Sequence, residues 1–419
     1  MDTEFLACSG NTTRWLQVGT LIDGESRTPV TDGHLVFDAG SILHAGAEAP
    51  APDLVGGRSA PDLVLPHHTL LPGLIEAHAH LFLRGGELDP DKRKSYLTQS
   101  AEMLLTQARR RIAALLHSGI IAVRDAGDKD GVGLALSKAY RERKTGDPLM
   151  PYIDSPGAAI HHRGRYGGFM GSVIEEHASA ADCVAARVAA GADRIKLIPT
   201  SIINFKKGRV TAKPQMDAPR LRDLVAAANR HGRQTFAHAS GDEGIDHVIR
   251  AGIDTVEHGY FIRPDQLDLM AEKNIAWVPT FAPVQKQIDH AELMGWDNDC
   301  LSNLKTIIAN HQKSLIYADQ IGVTIIAGSD AGSHGVSHGA DFIYELELME
   351  QAGLDPIKVI NTATGNSANR LAFSEPFGRI KAGCKSRMIL TAHRPQDTVS
   401  NLRKNQLCLF DGHVIPTSN

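Results

Sequence analysis

Between residues 74 and 352 short apolar runs alternate with longer amphipathic segments, and no other feature of the chain restricts its fold as tightly. The apolar runs read as strands at 120–125, 151–156, 194–199, 234–239, 254–258, 275–280 and 323–330, preceded by one that carries His78. Between them apolar positions recur at helical spacing, at 95–117, 132–144, 180–190, 218–231, 242–251, 264–273 and 300–321. A last helix, 341–352, follows the eighth strand. Eight such units predict an α/β fold, a (β/α)8 TIM barrel. A doubly wound open sheet has the same alternation, but no glycine-rich phosphate turn opens any of these helices.

The flanks read differently. Residues 16–24 form a strand closed by a turn, and 34–46 a hairpin around Gly40-Ser41. Strand-like runs return at 378–380, 388–391, 407–410 and 414–415. The expected organisation is a discontinuous β-sandwich, 1–70 with 375–419, around a hydrolase barrel at 71–374.

Composition narrows the function classes. Of 419 residues 42% are hydrophobic and 22% charged, ordinary values for a soluble domain. A net charge of -4 gives no basic field for nucleic acid and no polybasic patch for a membrane. The five cysteines (Cys8, Cys183, Cys300, Cys384, Cys408) are scattered and form no Cys-x-x-Cys pair. The start Met1-Asp2-Thr3-Glu4-Phe5 lacks the basic and apolar parts of a signal peptide, and no run is long enough for a membrane helix. The expected location is the reducing cytoplasm. The expected partner is a small-molecule substrate, with no nucleic acid and no membrane, and homo-oligomerisation is compatible with a large barrel.

Barrel active sites lie at the C-terminal ends of the strands. Those ends carry His78 and His80, Lys196, His238, His258 and Asp330. In Glu76-Ala77-His78-Ala79-His80 the period of two sets both imidazoles on one side, where they can share a metal ion. Lys196 sits inside Ile195-Lys196-Leu197-Ile198, a costly place for an ammonium unless it is paired or chemically altered. Singly, each residue has a plain structural explanation: a core histidine, a helix cap, a snorkelling lysine. Together they predict a metal site.

With their flanking sequence these residues resemble the amidohydrolase superfamily of metal-dependent hydrolases. The resemblance is carried by Leu71-Pro72-Gly73-Leu74-Ile75-Glu76-Ala77-His78-Ala79-His80, Ala363-Thr364-Gly365-Asn366-Ser367-Ala368 and Gly378-Arg379-Ile380-Lys381-Ala382-Gly383. It is to the binuclear subtype, in which a strand-4 lysine is carboxylated by carbon dioxide and bridges two divalent ions. The resemblance implies that His78, His80 and Asp330 hold the buried ion, that His238 and His258 hold the exposed one, and that a Lys196 carbamate joins them. Zinc is the first expectation, with manganese, iron or cobalt as alternatives. It further implies a metal-bridged hydroxide, with Asp330 taking its proton and returning it to the leaving amine. Mononuclear deaminases of the superfamily place a Glu three residues beyond the strand-5 histidine; here that position is Gly241.

The segments 191–196, 238–245 and 251–259 are similar to the prolidase-like and Xaa-Arg-dipeptidase-like branch, but they frame metal ligands rather than read substrate. The loop 161–171 departs from that branch. Its glycines surround Arg165-Tyr166, with His162 alongside, and the loop 201–209 carrying Asn204 is also basic. These residues are the candidate substrate-binding groups, and hydrated surface loops are the competing reading. Two cationic loops favour a dipeptide or N-acyl amino acid with a free carboxylate, cleaved at its amide C–N bond. A cyclic amide, lactone or organophosphate ester is the alternative, ahead of a deaminase or a catalytically silent scaffold. A second departure, Gly383-Cys384-Lys385-Ser386-Arg387-Met388 in place of a Gly-x-x-Ala-Asp pattern, implies different local packing of the accessory sheet.

Overall fold

Strands from both flanks pair in one seven-stranded sheet. Its order is His413–Pro416, Gln406–Phe410, Arg387–Thr391, Leu63–Pro72, Arg14–Leu21, Val30–Phe37 and Ile42–Gly46. The join is the antiparallel pairing of Leu63–Pro72 with Arg387–Thr391, which sets Leu70 opposite Leu390. The expected pairing of the two flanks therefore takes the form of one hydrogen-bonded sheet, whose Leu16, Val18, Leu35, Phe37, Met388 and Leu390 share one core. At the second sequence departure Arg387 is buried, lies 4.6 Å over the Phe410 ring and donates to both Asp411 oxygens at 2.8 Å.

This computed structural model describes residues 3–10, 12–404 and 406–416. The chain divides into two compact units. One comprises the residues up to Ile75, Ala113–Ala122 and those from Leu354 onward; the other comprises Glu76–Ile112 and Val123–Gly353.

In the α/β part the strands Leu74–Ala79, Ile120–Asp125 and Tyr152–Asp154 form one sheet. A second sheet runs in the order Ala276–Val278, Thr255–His258, Thr235–Ala239, Ile195–Leu197, Ala159–His161 and Gly171–Val173, with parallel pairing throughout. The expected eighth strand is not a continuous one. Ile325 bridges to Trp277 and Ala331 to Ala79, both in parallel, while Ser329 between them bonds its N–H and hydroxyl to the Glu76 carboxylate.

Helices follow the strands as the periodicity predicts; Asp242–Ala251 buries Ile245, Val248 and Ile249 on one face. Two departures have local causes. The helix expected over 95–117 is two, Pro90–Tyr96 and Ala101–Leu115, because Asp89 starts the first by accepting from the N–H groups of Asp91 and Lys92. An unexpected helix, Ala282–Asp289, begins where the Glu345 carboxylate accepts from the N–H groups of Phe281 and Ala282. That cap comes from a distant helix, so no local pattern announces it. Among the described residues no helix is long and apolar enough to cross a membrane.

Candidate active site

Side chains from the strands Leu74–Ala79, Ile195–Leu197, Thr235–Ala239 and Thr255–His258 line a cavity of about 590 Å³. His78, His80, Lys196, His238, His258 and Asp330 all line it, so the six residues singled out in the sequence come together. The His238 and His258 rings lie 4.5 Å apart and the His78 and His258 rings 5.0 Å.

Three of the imidazoles, His78, His80 and His258, are anchored through Nδ1. His80 Nδ1 donates to the Gly127 carbonyl at 3.2 Å, and since a carbonyl only accepts, Nε2 keeps its lone pair for the cavity. His78 Nδ1 lies 2.5 Å from Glu257 Oε2, and His258 Nδ1 lies 2.8 Å from Thr280 Oγ1. His238 Nε2 is buried without a hydrogen-bond partner. Burial holds all four rings neutral: it pushes His80 and His238 down to about 3, and His78 and His258 well below the usual range, with the Lys196 charge adding in each case.

The backbone supports this orientation at some cost. His258, Thr280 and Asp330 have φ of 68°, 52° and 57°, in the left-handed region that non-glycine residues seldom adopt. Gly259 follows at 68°, and a Cβ there would meet Trp277 Nε1 at 2.5 Å. Trp277 Nε1 itself donates to the His258 carbonyl at 2.9 Å.

Lys196 is the chemical anomaly. It is 2% exposed, and its Nζ has no hydrogen-bond partner and lies 4.6 Å over the Phe236 ring. Burial pulls its pKa down to about 8, which puts a nucleophilic free amine within reach of neutral pH. Asp330, with Oδ1 3.6 Å from His78 Nε2 and 3.5 Å from His80 Nε2, is pushed up to about 7 by burial. His78, His80 and Asp330 can offer ligand atoms all within 4.8 Å of one another. Neutral imidazoles, a carboxylate, an unpartnered amine and an unpartnered imidazole nitrogen lining one cavity are donors that fit divalent ions.

The candidate substrate groups divide. Tyr166 lines the cavity with its ring 5.3 Å from that of His238, and burial followed by the Asp330 charge raises its phenol, keeping it a neutral donor. Asn204 lines it too, although its side-chain oxygen accepts from the Lys207 N–H. His162 and Arg165 are not among the lining residues. His162 Nδ1 bonds Glu175 at 2.6 Å, and the exposed Arg165 donates to the Lys213 carbonyl at 2.5 Å. The loop turns at Gly164 and Gly167, both at positive φ, on either side of the Arg165-Tyr166 pair.

Sequence reasoning passed over Arg93, which lines the cavity, and Glu257 and Arg124, which stand behind His78. Glu257 directly precedes His258, but the positive φ of His258 breaks the strand alternation and both side chains reach His78, which the spacing does not announce. Arg93 had no signal, as its helix begins before the expected one.

Ochratoxinase of Aspergillus niger is 25% identical over 414 residues, covering 92% of this chain and 82% of that protein. A crystal structure of a Xaa-Pro dipeptidase with bound methionine in the active site superposes with a TM-score of 0.79 at 23% identity, covering 96% of this chain and 100% of that one. The A. niger ochratoxinase structure superposes at 0.78 with 22% identity, covering 96% and 95%. These structures share the fold. The sequence profile of the Amidohydrolase family matches residues 69–412, and with the site at its strand ends this chain is a member of the amidohydrolase family.

Proposed function

We propose that the protein hydrolyses an amide or peptide C–N bond in a small substrate with a free carboxylate, a dipeptide or N-acyl amino acid, at a binuclear metal site. The observation that carries this reading is the convergence of four neutral imidazoles, Asp330 and an unpartnered buried Lys196 on one cavity. Dipeptidase and ochratoxinase relatives support it. In this reading the parallel strands, with the bridges at Ile325 and Ala331, make up a (β/α)8 barrel at 71–374, and 1–70 with 375–419 form the accessory domain.

His78, His80, Asp330, His238 and His258, with a carbamate on Lys196, would hold two divalent ions. Such ions, when bound, acidify a water and polarise the scissile carbonyl. The chain supplies the rest. Asp330, beside His78 and His80, takes a proton from the attacking water and passes it to the leaving nitrogen. Glu257 and the Gly127 carbonyl fix the faces of His78 and His80. Tyr166, neutral and beside His238, donates to a substrate oxygen. Gly241 fills the position where deaminases need a carboxylate, and it starts a helix at φ 82°, so this chain lacks the proton shuttle of that chemistry.

The test is amine release from a library of dipeptides and N-acyl amino acids by zinc- or manganese-loaded protein in bicarbonate, with Lys196→Ala as control. Turnover is expected, and it should vanish in the variant. Silence from fully metallated protein, with turnover of lactones, cyclic amides or phosphotriesters, would replace this reading.

A further inference from the structure

We infer that Arg93 is the carboxylate anchor of this cavity, and that the substrate presents a bulky apolar group beside that carboxylate. The inference rests on the hydrolase reading only for the bond that is cut; the recognition itself is argued from the cavity wall.

Arg93 belongs to Pro90–Tyr96, a short helix with no buried residue. Its own guanidinium nevertheless turns inward and lines the cavity. Nη2 donates to the Gly332 carbonyl at 3.2 Å, two residues beyond Asp330. Among the described residues no carboxylate lies within ion-pair distance of it, whereas Arg84 of the same segment reaches Glu87. Withdrawing a guanidinium from water without an ion pair is costly. An arriving anion offsets that cost, and a carboxylate matches the guanidinium fork.

The anchor is held in place. Asp89 caps its helix, the Glu87 carboxylate accepts from the Asp89 N–H, and His334 Nε2 bonds the Leu88 carbonyl at 2.7 Å. The other cations near the mouth are poorer candidates: Arg165 is exposed and is not among the lining residues, and Lys206 is exposed on the rim.

Beyond the candidate metal-site residues the wall carries a set of apolar side chains. Phe169, Ile202, Ile203, Phe205, Val284 and Trp296 line it, with the Phe205 and Trp296 rings edge to face at 6.0 Å. Ile202, on this wall, is 53% exposed and offers apolar surface that a ligand can cover. A buried guanidinium together with apolar side chains on one cavity wall selects a molecule with an anionic end and an apolar body.

The test is a binding measurement. N-benzyl-L-leucine, which keeps the carboxylate and an apolar body but has no amide to cleave, is titrated calorimetrically against its primary carboxamide. Wild-type, Arg93→Met and Arg93→Lys proteins are compared at matched metal content. The wild type is expected to bind the carboxylate about tenfold tighter than the carboxamide or better, Arg93→Met to bring the two close to equal, and Arg93→Lys to restore part of the preference. Equal binding of both compounds by the wild type, no binding of either, or a preference that survives Arg93→Met would overturn the assignment. Carboxylate preference that depends on Arg93 in a protein that cleaves no amide would keep the anchor and remove the hydrolase reading. An unchanged thermal midpoint in Arg93→Met separates lost recognition from lost folding.

Discussion

Glu257 Oε2 lies 2.5 Å from His78 Nδ1, and the same carboxylate accepts from Arg124 Nη2 at 2.9 and 2.8 Å. His78, Glu257 and Arg124 are each 1% exposed or less, so the relay from guanidinium to imidazole is sealed from water. Arg124 also donates to the Ala77 carbonyl, tying the relay back to the strand that carries His78. A ligand histidine held this way has one ring nitrogen committed and the other presented.

Glu257→Gln should therefore lower metal affinity by about 10–100-fold while leaving every proposed ligand in place. Competition against a chelator measures this. Unchanged affinity would show that His78 does not need the carboxylate.

Lys196 should make the metal-stripped protein sensitive to pH. Its folded pKa of about 8 lies below the usual 10.5, so below about 8 both states carry the proton and the full cost of burying the charge is felt. Between about 8 and 10.5 the folded state has released its proton and the unfolded state has not, so stability rises with pH across that window. Lys196→Met should be more stable than wild type near pH 7, by on the order of 3 kcal/mol, with the gap closing toward pH 10.5. Urea unfolding of chelator-treated proteins checks the sign, and a gap that widens with pH would contradict it.

Gly259→Ala should cost about 2 kcal/mol or more, because the added Cβ meets the fully buried Trp277 ring at a positive φ. The same change presses on the backbone that presents His258, so metal retention should fall with the melting temperature.

Tyr166→Phe should lower kcat/KM by about tenfold with metal content unchanged, as expected for loss of one donor to substrate. A fall in bound metal would instead mean that the phenol supports His238.

What was legible in the sequence follows from what is periodic. His78 and His80 share a face because a strand alternates, and both Nε2 atoms accordingly approach Asp330 Oδ1. Lys196 stood out because a cation interrupts an apolar run, and it is indeed buried without a partner. The start of Ala282–Asp289 was not legible, since its cap, Glu345, comes from another helix. Nor were the directions of Arg93 and Arg165. Both arginines lie outside the strands, where contacts distant in sequence, Gly332 for one and Lys213 for the other, decide which of them faces the cavity.

The pairing of Leu63–Pro72 with Arg387–Thr391 has a consequence for biosynthesis. A chain made from its N-terminus exposes the edge with Leu70 and Leu71 throughout translation of the intervening α/β region, before its partner strand leaves the ribosome. An unpaired apolar edge invites wrong strands. The accessory sheet is completed last, and nascent protein stalled before residue 387 should be the species most prone to aggregate and most dependent on chaperones.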